Sequence, residues 1–483
     1  VVAVLDGPLA ADGDTIVAAG PGAGTVRVAD RHVDLAADVP VTVLAALSAD
    51  LPRDGERSGH GVVRAAGDID GDGYDDAVLG FVDIAVDAPF GGAVLVYAGG
   101  PAGLAPAPVR TVAGSGAEDT LGRDVAVADL DADGHPDLVV GVDKSDQGGI
   151  NVGQVRVYAG APGAYFADAP TRTLVGENAY GRFGSALAAC DFDGDGWTDL
   201  AVGAVEDEDL ATASPAEEQG AIHVFKGAAD GFGDDADFVL YGEVPDGAGG
   251  FVGQSGMQLG GVLAAGDLDG DGRCDLVAGA PEGSFDGAGG DADGLVLVYR
   301  GTDADGLTLT RDPAAILVPS STADAFGRRV AVGDVDGDGA ADLAVAEWKS
   351  DRRATDGGAA WFFRGLDLDA LDPAVPIDSS DADAWIFGTE GSSYLGSDLD
   401  LADLDGDGLA ELIVGQYRGG VGDPGVVRVY GGAELAAVGP GTDLSDTTPG
   451  RTVRGSTEQG RLGQSVAAVG DAAGDGAVDL LAL

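Results

Sequence analysis

Residues 68–76 read "DIDGDGYDD", with carboxylates at positions 1, 3, 5 and 9 and glycines at positions 4 and 6. Like charges held this close repel one another unless a cation sits among them. The stretch recurs as "DLDADGHPD" from Asp129, "DFDGDGWTD" from Asp191 and "DLDGDGRCD" from Asp267. Two further copies, "DVDGDGAAD" and "DLDGDGLAE", begin at Asp334 and Asp403. A damaged copy, "DAAGDGAVD", begins at Asp471 and has Ala473 at position 3. The starts lie 61 to 76 residues apart, so one unit repeats almost from end to end.

Each unit reads as four short strands. A first strand such as "FGSALAAC" or "FGRRVAVG" precedes the acidic stretch, and a second such as "DLVVG" follows it. A variable connection leads to a third, as in "GAVLVYAG" or "GAIHVFKG", and a fourth follows, as in "PVRTVAG" or "TRTLVG". The strands are rich in Val and Ala and bounded by Gly, Pro and Asp, and no segment holds a helical apolar period. Four short strands per unit predict an all-β fold, a β-propeller of four-stranded blades with an acidic loop between strands 1 and 2. The whole chain, 1–483, reads as one domain. Residues 1–50 form a vestigial first repeat that keeps Asp6 and Asp14 at its loop ends, 51–450 hold six full repeats, and 451–483 a partial last one. Eight units predict eight blades, or seven if the two ends combine.

The loop pattern is that of a hard-cation site. Alternating carboxylates, a glycine for the sharp turn and a backbone carbonyl at position 7 make an all-oxygen cage, which favours Ca²⁺ over zinc, copper or magnesium. An EF-hand is excluded, since position 12 holds Leu79, Val140 and Val202 and strands flank the loop. The predicted ligands in the first loop are Asp68, Asp70, Asp72, Tyr74 and Asp76, and in the second Asp129, Asp131, Asp133, His135 and Asp137. The third offers Asp191, Asp193, Asp195, Trp197 and Asp199, and the fourth Asp267, Asp269, Asp271, Arg273 and Asp275. The fifth offers Asp334, Asp336, Asp338, Ala340 and Asp342, and the sixth Asp403, Asp405, Asp407, Leu409 and Glu411. Position 7 varies freely, so only its carbonyl is expected to bind. Asp471, Asp475 and Asp479 form a weak seventh site, giving about six strong sites and one weak one.

The formal charge is −57, from 26 basic and 83 acidic residues, and such a field repels phosphate backbones, so nucleic acid is excluded as a partner. No stretch approaches the ~20 apolar residues of a membrane-crossing helix. Val1 opens on a strand-like run, so the chain reads as a mature or trimmed form. Cys190 and Cys274 sit at unlike positions of their units, which predicts two separate buried thiols rather than a disulfide.

The units resemble FG-GAP repeats, the blades of the integrin α-subunit propeller. The eponymous residues are Phe183–Gly184 in "FGSALAAC", Phe326–Gly327 in "FGRRV" and the "GAP" at Gly279–Pro281. Most other copies have "LG" and lose the proline. The resemblance implies Ca²⁺ in the loops of one face and partners on the other. No inserted domain, leg domain or membrane span is read here, so a heterodimeric receptor role is not implied.

Catalytic signatures are missing: there is no GxSxG, HExxH or P-loop, and four histidines with two cysteines in unlike places make no triad. The expectation is a non-enzyme, a secreted or cell-surface adhesion module for a protein or glycan ligand. The alternatives are a structural subunit of an extracellular assembly and a polysaccharide lyase-like propeller. Among the variable connections, 346–358 ("AEWKSDRRATDGG") gathers Trp348, Lys349, Arg352 and Arg353, which marks it as a candidate contact for an anionic partner.

Overall fold

The computed structural model describes the backbone of four N-terminal strands (Ala3–Leu5, Asp14–Val17, Gly24–Val26 and Val39–Val43) and most of residues 61–483. Within the latter, residues 85, 211–216, 230, 247, 249, 286–292, 304–307, 321–324, 421, 456–460 and 475 fall outside the description. The second strand of each unit is its most deeply covered part. Asp76–Phe81, Asp137–Val142, Asp199–Ala204, Asp275–Ala280, Asp342–Glu347 and Glu411–Gln416 are buried at every position. A near-continuous apolar run is what a strand covered on both faces requires.

On either side of it lie an inner strand and a third strand, with a fourth outside, all antiparallel. Blade one runs Gly61–Gly67, Asp76–Phe81, Ala93–Tyr97, Arg110–Ala113. Blades two to six open with the inner strands Val125–Ala128, Phe183–Cys190, Val262–Gly266, Phe326–Gly333 and Leu395–Ala402. Blades four, five and six carry a fifth strand parallel to the fourth, namely Ile377–Asp378, Thr442–Asp443 and Asp14–Val17.

The chain ends meet in a further sheet. Val466–Ala468 and Leu480–Ala482 from the C-terminal side pair onward to Ala3–Leu5, Val39–Val43 and Gly24–Val26. Val466–Ala468 contacts the inner strands of blades six and one, which closes the ring. The favoured count of eight blades is therefore corrected: six blades come from contiguous sequence, and the first and last units combine in one further sheet, the alternative allowed for above. Neither end unit has enough strands to cover its own faces, so each completes the other. Asp14 is not a loop remnant, because it opens the strand that pairs in parallel with Arg451–Arg454. Asp6 lies outside the described residues.

The cores lie between blades. Ile69, Val78, Val94 and Val96 of blade one pack with Leu121, Val125, Leu138 and Val140 of blade two. Burial of such side chains contributes roughly 1.5–3 kcal/mol each. Close approach of neighbours explains the repeated glycines: a Cβ on Gly203 would collide with the Gly260 carbonyl of the next blade. Phe183 and Phe326 bridge the glycines that open the preceding blade's third strand (Gly153, Gly294), and Leu121, Leu259, Leu395 and Leu462 do the same in the "LG" copies.

The cysteines differ from expectation. Cys190 and Cys274 form a disulfide, with Cα atoms 6.1 Å apart. Their positions in the repeat are unlike, but ring geometry brings those unlike positions together. The position-8 amide of one loop donates to the position-1 carbonyl of the loop before it: Cys274 to Asp191 (3.1 Å), Ala341 to Asp267 (2.6 Å), Ala410 to Asp334 (2.7 Å) and Asp75 to Asp471 (3.2 Å). Cys190 directly precedes Asp191, so it faces Cys274 at that same junction.

Candidate metal loops and interaction face

Each acidic loop folds around its first carboxylate. Asp68 Oδ1 accepts from the amides of Gly71 (2.7 Å) and Asp72 (3.0 Å), and Oδ2 from Gly73 (2.8 Å). Asp191 and Asp403 repeat all three bonds, and Asp129, Asp267 and Asp334 repeat two each. Such side-chain-to-backbone bonds are what Asp offers in a turn. At position 4 the backbone turns left-handed, with φ of +79° at Gly71 and 51° at Ala132. Position 2 is an apolar anchor: Ile69, Leu130, Phe192, Leu268, Val335 and Leu404 are all buried.

At position 7 the amides of Tyr74, His135, Trp197, Arg273, Ala340 and Leu409 donate to the position-5 carboxylate at 2.9 to 3.0 Å. The backbone does the work there, which is why any side chain serves.

Position 9 pins the loop to its blade. Asp76 Oδ2 accepts from Ile69 N and Oδ1 from Gly99 N at the end of the third strand, both at 2.8 Å. Asp137, Asp199, Asp275, Asp342 and Glu411 make the same two bonds. Burial pushes these carboxyls up, Asp76 and Asp342 to about 6 and Asp199 and Asp275 to about 7. Asp137 and Glu411 shift the same way. The two amides partly offset the burial, while the neighbouring loop carboxylates add to it.

Carboxylate oxygens of positions 1, 3 and 9 lie within 4.8 Å of one another in Asp68/Asp70/Asp76, Asp129/Asp131/Asp137, Asp191/Asp193/Asp199 and Asp334/Asp336/Asp342. In the fourth loop the trio is Asp267, Asp269 and Asp271. Asp336 Oδ1 is buried and accepts no hydrogen bond among the described residues. An all-oxygen donor set, crowded and with an unused buried acceptor, fits a hard cation. In the seventh copy, Asp471 accepts from Gly476 N at 2.8 Å and Asp479 is buried, while Asp475 lies outside the described residues.

Three loops also receive a base from the protein itself, which the sequence reading missed. Lys226 Nζ bonds to Asp193 and lies 3.2 Å from Asp195. Arg300 Nη2 is 2.8 Å from Asp269 and 3.3 Å from Asp271, and Arg364 Nη1 is 3.9 Å from Asp336. All three occupy the residue before the third-strand glycine, where the other blades have Ala98, Ala159 and Gly431. That slot was the available signal.

On the opposite face the four residues of the 346–358 connection have different neighbours. Lys349 sits over the Trp348 ring at 5.5 Å, and Trp348 packs 5.3 Å from Tyr394. Arg352 instead lies over Trp361 and donates to Ser320, while Arg353 pairs with Asp446 at 2.6 Å. His223 is structural: its Nε2 lies 3.0 Å from the Asp207 carboxylate and its ring meets Phe183 edge-on.

Residues 129–202 match the FG-GAP-like repeat family and residues 326–363 the FG-GAP repeat family. Integrin alpha-IIb of Mus musculus is 32% identical over 179 residues, which are 36% of this chain and 16% of that protein. Phosphatidylinositol-glycan-specific phospholipase D of Rattus norvegicus is 34% identical over 200 residues, 39% of this chain and 22% of that protein. The chain thus spans less than a quarter of the length of either relative. A solved structure described as "Structure of Dos1 propeller" aligns with a TM-score of 0.39 at 11% identity, over 84% of this chain and 74% of the other.

Proposed function

From a chain that carries FG-GAP repeats and resembles the integrin α propeller, we propose a calcium-binding, extracellular or cell-surface propeller that serves as an adhesion or interaction module. Six intact loops hold the metal and the 471–479 loop binds it most weakly, having lost a carboxylate at Ala473. The observation that carries this reading is the repeated burial of a position-9 carboxylate against its neighbours, a charge pattern that a bound divalent cation relieves. The carboxylates at positions 1, 3, 5 and 9 would hold Ca²⁺, which would supply positive charge and lock the loop. The location is supported by the Cys190–Cys274 disulfide, a bond that persists in oxidising compartments.

The test is thermal. A chelator should lower the melting temperature substantially and added Ca²⁺ restore it, because an ion bound only by the native state stabilises by mass action. A melt indifferent to chelator overturns the reading. Extracellular modules bind calcium at about 10⁻⁴–10⁻³ M. Micromolar-or-tighter binding at all six loops would therefore remove the affinity argument for the location. The partner surface is read as the face of the second-to-third strand connections, where variable loops concentrate.

A further inference from the structure

The central channel opens, away from the acidic loops, into a cavity of about 510 Å³ walled by the inner strands. Arg64, Arg123, Arg328, Arg329, Arg418 and Arg461 line it, against Asp124, Asp398 and Asp400. Six cations face three carboxylates here, in a chain whose acids outnumber its bases 83 to 26. The internal pairs do not use up this excess. Asp124 pairs with Arg64 at 2.9 Å and Asp398 with Arg329 at 3.0 Å, and Arg123 lies 3.6 Å from Asp143 outside the lining. The same aspartates and Asp400 accept amides of neighbouring inner strands, from Leu187, Val466 and Ala468. Arg328, Arg418 and Arg461 make no ion pair among the described residues. Burial, with Arg329 and Arg123 nearby, brings the Arg328 guanidinium down to about 10.

Aromatic rings position these bases. Arg328 lies 5.4 Å over Trp348, and Arg418 lies 5.3 and 5.4 Å from Tyr394 and Tyr417. Tyr394 sits between Trp348 and Tyr417, 5.3 Å from each. The protein's own guanidinium groups already cover the rings, so a cationic partner gains no cation–π contact there. An oxyanion gains forked hydrogen bonds from groups that hold no carboxylate at ion-pair distance among the described residues.

We propose that this channel mouth is a binding site for a small, multiply charged oxyanion, a carboxylate- or sulfate-bearing molecule of one or two sugar rings in size. The cavity accommodates that size, whereas a long polyanion would leave most of its charge in the negative field of the remaining surface. The inference goes beyond the calcium reading and does not depend on it.

Titration calorimetry at low salt, with succinate, a disulfated disaccharide and an aspartate-rich octapeptide as probes, tests the site. The expected result is 1:1 binding of a small anion with a Kd of about 0.1–1 mM. Added NaCl should weaken it, and the Arg328→Gln/Arg418→Gln variant should weaken it at least about tenfold. Succinate binding alone marks a free carboxylate as the ligand chemistry, and disaccharide binding alone a sugar sulfate. If the double variant does not fold, Arg418→Gln alone carries the test, with a smaller loss of affinity. The proposal is overturned if neither small anion binds, if affinity survives the substitutions, or if only the peptide binds.

Discussion

Ala132 stands where the five sister loops have glycine, and its φ of 51° places it in the left-handed region. An L-residue there costs roughly 1–2 kcal/mol, partly offset by the greater freedom glycine has when unfolded. Ala132→Gly should therefore stabilise the protein by about 0.5–1 kcal/mol in denaturant melts, and a loss of stability would contradict that account. The position-9 acids predict a pH response. Their folded values of about 6 to 7 lie above the unfolded carboxylate range, so the stability they contribute is present at low pH and lost as pH rises through 6 to 7. Metal-stripped protein should melt higher at pH 5.5 than at pH 8. Saturating Ca²⁺ should flatten the difference, because the ion favours the charged form. General charge repulsion would give a similar trend, so the slope between pH 6 and 8 must also shrink in Asp199→Asn.

The elements were legible to different degrees. Loop and strand positions follow from chemistry local to each unit: Asp–Gly turns, alternating carboxylates and short Val-rich runs. The disulfide was not legible, since it depends on which residues ring closure brings together, whereas the tethered bases lie within their own blades and were signalled only by the slot before the third-strand glycine. Lys226, Arg300 and Arg364 sit one residue from a glycine amide that binds the position-9 carboxylate, so each reaches into its own loop. A resident ammonium or guanidinium competes with a metal ion for the same oxygens. Calcium titration should resolve two classes of loops, with blades one, two and six tighter. Lys226→Ala should raise affinity in blade three by about tenfold, the order of one lost charge–charge contact. Uniform binding that Lys226→Ala leaves unchanged would show that the base lies outside the competition.

At the scale of the molecule, the propeller was legible from the repeat, but the choice between a separate blade at each end and a combination of the two was not. A half unit at each end reads like a poor copy of a blade, and only pairing across the full length of the chain reveals one shared sheet. Ala3 lies opposite Ala482 in that sheet, so the termini are neighbours. Deleting residues 1–50 should cost on the order of 3 kcal/mol or more, because it strips partners from Leu480–Ala482 and Arg451–Arg454 and leaves open sheet edges. A permuted chain that joins the old ends by a short linker and opens within residues 99–109 should melt near the parent. If the deletion melted like the parent instead, the shared sheet would not be closing the ring.

The two ends of the channel also differ in sign, with carboxylate loops around one rim and surplus arginines at the other. Such a separation gives the molecule an electric dipole along its ring axis. Approaching a negatively charged surface, it would turn its arginine mouth forward before any contact formed. Within about 8 Å, the screening distance at physiological salt, that torque would be strongest, and filling the loops with Ca²⁺ would reduce it. Metal loading would then set the molecule's orientation on encounter as well as its stability.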